Sequence, residues 1–173
     1  TCFAFTGENQ YHAIFAHDGC AIVHPSSAAT ALVALGARME LVGADGARRI
    51  ATLEAFLVPP SKDLLRENDL RDGEIVAAIL LPGVGTRVRS VYLRQGELDS
   101  FDWPIADVAV VLDLAANGEC RSASIILGAA APVPYRARGA EAALTGSAVS
   151  EETARVAARA ALTGAAPLAK NAY

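Results

Sequence analysis

Strand-like segments that come first and helix-like segments that come last predict an α+β fold built on antiparallel sheet, not a doubly wound parallel one. Two observations carry this reading. The two longest apolar runs of the 173-residue chain, 105–114 and 120–130, are joined by Ala116, Asn117, Gly118 and Glu119, and an Asn-Gly pair between apolar runs is a hairpin signal. Behind them lie two alanine-rich stretches that end at Gly146 and Gly164, where glycine typically closes a helix.

In chain order, Cys20 to Val23 reads as a short strand halted by Pro25. Ser26 or Ser27 then N-caps a helix over 28–35, whose Ala28, Leu32, Val33 and Leu35 share an apolar face and which Gly36 closes. Residues 38–42 and 47–50 alternate polar and apolar about Gly43 and Gly46, a β-hairpin. Pro59, Pro60 and the charged stretch 62–72 form a surface loop. The run 73–82, bounded by Gly73 and Pro82, reads as a buried strand, and 88–94 alternates as a half-buried one. Asn117 and Gly118 predict a type I′ turn, and Pro132 and Pro134 end the sheet. Helices over 137–144 and 151–162 follow, the second capped by Ser150, with Glu151 and Glu152 where the helix dipole favours anions. The order is β-α-β-β, a strand, then an antiparallel sheet with helices on one face. A boundary near 83–87 divides the chain into 1–86 and 87–173.

Composition excludes several classes. Although 53% of residues are hydrophobic, no apolar run approaches the ~20 residues of a bilayer span. A net charge of −4 without a Lys/Arg cluster argues against nucleic acid. Cys2, Cys20 and Cys120 form no CxxC pair and read as reduced thiols of a cytoplasmic protein, with Cys20 and Cys120 as buried apolar residues. His12, His17 and His24 are scattered, without a ligand spacing, and read as structural. No nucleotide-binding glycine motif, P-loop, nucleophile elbow or zinc-protease motif is present. The segment 94–104 packs Phe101, Trp103, Arg94 and the carboxylates Glu97, Asp99 and Asp102 between two strands, which suits either a ligand contact or an ordinary solvated turn.

Six segments, in register along the whole chain, resemble one family. They are Gly7 to Phe15 with Asn9, His12, Ala13 and Ile14; His24, Pro25, Ser26 and Ser27 followed by Ala31 to Ala37; Gly73 to Val76; Tyr92 to Arg94 with Ser100 to Trp103; Ile125 to Arg136; and Pro167 to Tyr173. Together they are similar to the C-terminal half of the FAD-binding subunit or domain of the molybdenum hydroxylases, the xanthine, aldehyde and carbon monoxide dehydrogenases. The resemblance implies the end of an FAD-binding domain followed by a carbon monoxide dehydrogenase flavoprotein C-terminal-like domain. It implies an electron-transfer role, in which electrons reach FAD from molybdopterin through iron-sulfur clusters and pass to an acceptor. Molybdopterin and the clusters then belong to partner subunits, a molybdopterin-binding and an iron-sulfur subunit of one hetero-oligomer, and no catalytic or metal-ligating residue is assigned here.

Carried over residue by residue, the resemblance implies four cofactor-binding positions. Ser26 and Ser27 match the helix start near the FAD ribose and phosphates, although the family usually has Asp where Ser27 stands. Val76 matches an apolar position against the flavin, and Arg94 a cationic position close to it. A cation at about 4 Å and an effective dielectric of about 20 favours an anion by about 4 kcal/mol. Read without the resemblance, Ser26 is a helix cap, Val76 core and Arg94 a surface charge. Cys2 resembles the last ligand of an extra four-iron cluster in one branch of aldehyde-oxidising relatives, and otherwise is a plain thiol. The glycine-rich loops that cradle the FAD pyrophosphate lie N-terminal to Thr1 in the family. Both ends of the chain therefore read as cuts, and the FAD site as incomplete. The alternative is a truncated interaction module that no longer binds FAD.

Overall fold

The computed structural model describes residues 2–98 and 102–173 and confirms the α+β class. After a single 3-10 turn at Phe3–Phe5 the elements are α1 (Ser27–Ala34), β1 (Arg38–Val42), β2 (Arg48–Thr52), α2 (Leu53–Phe56), β3 (Ile75–Leu80), β4 (Val88–Gln95), β5 (Ala106–Leu114), β6 (Cys120–Gly128), β7 (Tyr135–Arg136), α3 (Arg138–Leu144) and α4 (Glu151–Ala161). The strands form two antiparallel sheets, ordered β2-β1-β3 and β4-β5-β6-β7.

The centre of the molecule is the β5/β6 hairpin, covered on both faces. Successive strand residues point to opposite sides. Ala109 and Ile126 therefore join α1's Ala29 and Val33, with Met39 and Leu41 of β1, in one core. Val108, Val110 and Ile125 join Ala137, Ala140 and Leu144 of α3 and Ala157 and Ala161 of α4 in the other. Burying a residue such as Ile126 or Leu41, each 0% exposed, contributes roughly 1.5–3 kcal/mol. Helix α4 reaches the sheet through α3, where Gly139 permits close approach: a Cβ there would stand 3.2 Å from the Ala160 carbonyl oxygen.

Ion pairs tie the sheets together. Arg136 of β7 donates to Glu54 of α2 at 3.1 Å and to Glu141 of α3 at 2.8 Å. Arg49 of β2 pairs with Glu74 at 2.7 Å and Asp69 at 3.0 Å, anchoring the loop before β3. The Arg49 guanidinium, with Arg71's amide, holds the Glu74 carboxyl down at about 2.

Five expectations are corrected. Residues 20–23 form no strand, because they make single bonds in opposite directions. Ala13 donates to the Ala21 carbonyl and His24 to the Ala131 carbonyl, both at 2.9 Å, and Pro25 has no amide to extend a ladder. Strand β3 is not buried: it is a sheet edge, with Ile75 64%, Val76 39% and Ile79 48% exposed. Strand β4 is likewise an edge and nearly all exposed. The β5/β6 turn is not type I′. Of the two central residues only Gly118 has positive φ (84°), whereas type I′ needs it at both; the Asn117 Oδ1 accepts from the Glu119 amide at 3.1 Å. The sheet also continues past Pro134 into β7, which the prolines had hidden.

Cys120 is buried as expected, whereas Cys20 and Cys2 are half-buried. Among the described residues no group of three or more His, Cys, Asp or Glu could hold a metal ion, and no helix is long and apolar enough to cross a membrane.

Candidate functional site

The chemistry-bearing side chains converge where the first turn of α1 meets the exposed end of the β4/β5 pair. Helix α1 starts there because Ser26 has extended backbone and its Oγ accepts from the Ala29 amide at 3.1 Å. The helix thus presents its positive end beside Ser27. Antiparallel register sets Arg94 opposite Asp107 and Tyr92 opposite Ala109. Residues directly opposed share a face, with Cβ atoms about 5 Å apart. Asp107, Ala109 and the paired Tyr92 and Arg94 therefore all lie on the α1 side of the sheet.

Asp107 is the most unusual residue of this corner. It is 5% exposed in the middle of an apolar strand, where an unpaired carboxylate is costly. Burial pushes its carboxyl above the usual range. The hydroxyls of Thr30, Tyr92 and Ser27 and the positive charge of Arg94 only partly offset that burial. Despite these neighbours, Oδ1 has no hydrogen bond of acceptable geometry. On its other side Asp107 pairs with Gly128 of β6, and a Cβ at Gly128 would overlap both Asp107 Oδ1 and Thr30 Oγ1. The glycine makes the room the carboxyl occupies. Tyr92 is perturbed in turn: its phenol is raised, chiefly by burial.

Of the sequence-derived positions, Ser27 and Arg94 are brought together around Asp107. Ser26 serves as the α1 cap. Val76 stands on β3, in the other sheet, opposite Leu41 and on the same face as Ile79 opposite Met39, both partly exposed, while Ile75 opposite Val42 faces the other way. Arg94 is exposed, and its guanidinium folds over Gly96 to donate to the Asp102 carbonyl, so it braces the loop that follows. Trp103 is 70% exposed, while Asp99, Ser100 and Phe101 of the same loop lie outside the described residues. Between Ser27, His24, Trp103 and Asp107 is a cavity of about 10 Å³, room for one water. A wider cleft of about 400 Å³ opens beyond Trp103, against Tyr11, His12 and Glu97.

Asp107, Thr30 and Gly128 were missed from the sequence. The available signal was a carboxylate near the start of the apolar run 105–112 with a glycine near the end of the run that follows the turn. Only strand register shows that the two face each other.

Comparison with known proteins gives this fold a place. Residues 92–173 match the family model of the CO dehydrogenase flavoprotein C-terminal domain. The chain is 30% identical over 146 residues to PaoB, the FAD-binding subunit of the aldehyde oxidoreductase of Escherichia coli (strain K12), covering 83% of this chain and 44% of that protein. It superposes on the carbon monoxide dehydrogenase from Hydrogenophaga pseudoflava, in a form that lacks the Mo-pyranopterin moiety of the molybdenum cofactor, with a TM-score of 0.72 at 27% identity, over 83% of this chain and 47% of that one. Reconstituted CO dehydrogenase from Oligotropha carboxidovorans gives 0.68 at 28% identity, over 83% and 48%. The fold is that of the C-terminal part of a flavoprotein subunit. Residues 92–173 are a CO dehydrogenase flavoprotein C-terminal domain, and the chain as a whole is similar to the C-terminal part of the FAD-binding subunits of the molybdenum hydroxylases, as its sequence resemblance implied; it spans about half the length of the relatives it matches.

Proposed function

We propose that this chain is the C-terminal half of an FAD-dependent electron-transfer subunit, working beside molybdopterin-binding and iron-sulfur subunits in a cytoplasmic hetero-oligomer. The observation that carries this is the corner just described, in a chain of this family: a helix N-terminus with two serines, a cation and an orphaned buried carboxyl oxygen within one neighbourhood. These groups fit one part of a flavin nucleotide. The positive end of α1, with Ser27, suits a ribose or phosphate oxygen. Val76, with Ile79 on the same face of β3, suits the face of a ring system. Residues outside this sequence complete the site by holding the pyrophosphate, in keeping with relatives about twice its length. We place the division between the two structural halves at 86/87, ahead of β4.

FAD, when bound, supplies reversible electron storage. The chain's own contribution is electrostatic. Arg94 favours negative charge near its guanidinium, and Asp107, pushed by burial toward its neutral form, cancels less of that positive charge than an ordinary carboxylate would. In the intact protein, Arg94→Gln is expected to lower the flavin midpoint potential and slow electron delivery to the acceptor. Substrate oxidation at molybdenum, followed with an artificial acceptor that bypasses the flavin, should be unchanged. Equal potentials in a redox titration would remove Arg94 from the site. Purified intact protein without a flavin absorbance spectrum would favour the docking-module reading instead.

A further inference from the structure

The proposed electron-transfer role does not by itself explain why the fold makes room for Asp107. The carboxyl sits on the α1 face of β5, flanked in register by Arg94 on β4 and Gly128 on β6. Above it stand Ser27 and Thr30, one helical turn apart on α1, and Thr30 is 2% exposed. Tyr92 approaches from β4. Two elements, α1 and β4, therefore present three hydroxyls to one carboxyl, and a third, β6, leaves out a side chain to admit it. A buried carboxyl is tolerated at such a point only when its contacts are worth more than its desolvation, and an alanine or valine would fill the same strand position at no such cost.

We propose that Asp107 is a positioning residue that locks the first turn of α1 to strand β4, so that Ser27 and Arg94 are held in fixed relation on either side of one carboxyl. The geometry explains three facts at once. Gly128 lacks a side chain where one would collide with both the carboxyl and Thr30. Thr30, a weak helix former, occupies a buried helix position where alanine would otherwise serve. Asp107 interrupts a strand of otherwise apolar inward-facing residues. The remaining orphan, Oδ1, is the atom left to meet a further donor: a water in the adjoining cavity or a hydroxyl of a bound nucleotide. This role rests on the proposed flavin site only for its consequence. The lock itself is a property of the chain.

The test uses the intact protein with Asp107→Asn, Asp107→Ser and the exchange Ser27→Asp/Asp107→Ser, which returns a carboxyl and a hydroxyl to the same contact from opposite sides. Amide hydrogen exchange is read at residues 27–30 and 88–95 against the rest of the chain. Either single substitution should speed exchange at those two segments by about tenfold, the loss expected for a weakened buried hydrogen bond, with other regions unchanged. The exchange variant should recover most of that protection. If the protein carries flavin, Asp107→Asn should also shift the midpoint potential, which a purely structural residue would not. Unchanged exchange at both segments, a uniform increase over the whole chain, or no recovery in the exchanged pair would each overturn the proposal. Absence of flavin would sink the electron-transfer reading alone, since the exchange measurement needs no cofactor.

Discussion

His24 and Asp107 border the same small cavity and carry opposite pH signatures. Burial holds the His24 imidazole below its ordinary range, against a weaker pull from Glu67. Its folded form thus binds a proton less readily than the unfolded chain, so stability falls as pH drops through the unfolded value of about 6.5 and toward the folded one. Asp107 is raised, so its burial penalty is absent below the unfolded carboxyl range and grows as pH rises through it. His24→Gln is therefore expected to flatten the loss of stability between about pH 7 and 5, while leaving stability near pH 8 little changed. Urea denaturation midpoints over that window decide it. A variant that loses stability in parallel with the parent would show that His24 is not the group responsible.

Gly128 illustrates how an element is specified by what it omits. A Cβ there would overlap the Asp107 carboxyl and the Thr30 hydroxyl, both buried, so neither can swing into solvent. Gly128→Ala should push α1 off the β5/β6 face and cost about 1–3 kcal/mol, the usual range for overpacking. A thermal unfolding curve measures this, and an unshifted midpoint would show that the corner yields. By contrast Gly118, whose φ is 84°, is needed for its backbone alone. The distinction bears on what could be read from sequence. Helices α1, α3 and α4 were legible because caps and glycines punctuate them locally: Ser26, and Ser150 with its reciprocal Thr153 contact, accept from their first turns as their spacing indicates. The hairpin β5/β6 was legible from Asn117 and Gly118. What failed was burial. The apolar run of β3 resembles a core strand, but its place at the sheet edge is decided by which chain segments cover it, and local pattern carries no record of that. The candidate site divides the same way. Ser27 and Arg94 came from resemblance to a family. Asp107, Thr30 and Gly128 needed the register of three strands and a helix.

At the scale of the whole molecule, the two termini of the sequence hold one another. Residues 166–171 lie along 8–17 as an irregular strap. Ala166 donates to the Ile14 carbonyl at 2.8 Å, and His17 Nε2 approaches the Ala166 carbonyl at 2.8 Å. Two asparagines, Asn9 at 0% exposure and Asn171 at 4%, replace the ladder that regular strands would provide. The Asn171 side chain accepts from the Leu168 amide at 2.6 Å and donates to the His12 carbonyl at 2.8 Å, while Asn9 Oδ1 accepts from the Lys170 amide at 2.9 Å. An amide side chain is suited to this because it donates and accepts at once, satisfying backbone groups on two segments. The strap matters for the candidate site because the segment it holds runs on through Cys20 to Ser26, where α1 begins. Asn171→Leu keeps the volume but leaves the His12 carbonyl and the Leu168 amide without partners, so it should cost about 1–3 kcal/mol in global stability. Although residues 14–15 meet the second core at Leu127 and Tyr135, the strap is held by side-chain bonds in place of a ladder, so the loss should come with local opening: exchange at residues 8–17 should rise well before exchange in β5 and β6, which lie at the high-stability end of the molecule. Asn171→Asp makes the contrast sharper. It retains the acceptor for Leu168 and removes only the donor to His12, so its loss should be intermediate at a pH where the new carboxyl is neutral and larger where it is charged and faces a carbonyl. Equal exchange rates at 8–17 in parent and Asn171→Leu protein would mean that the strap follows the fold and does not hold it.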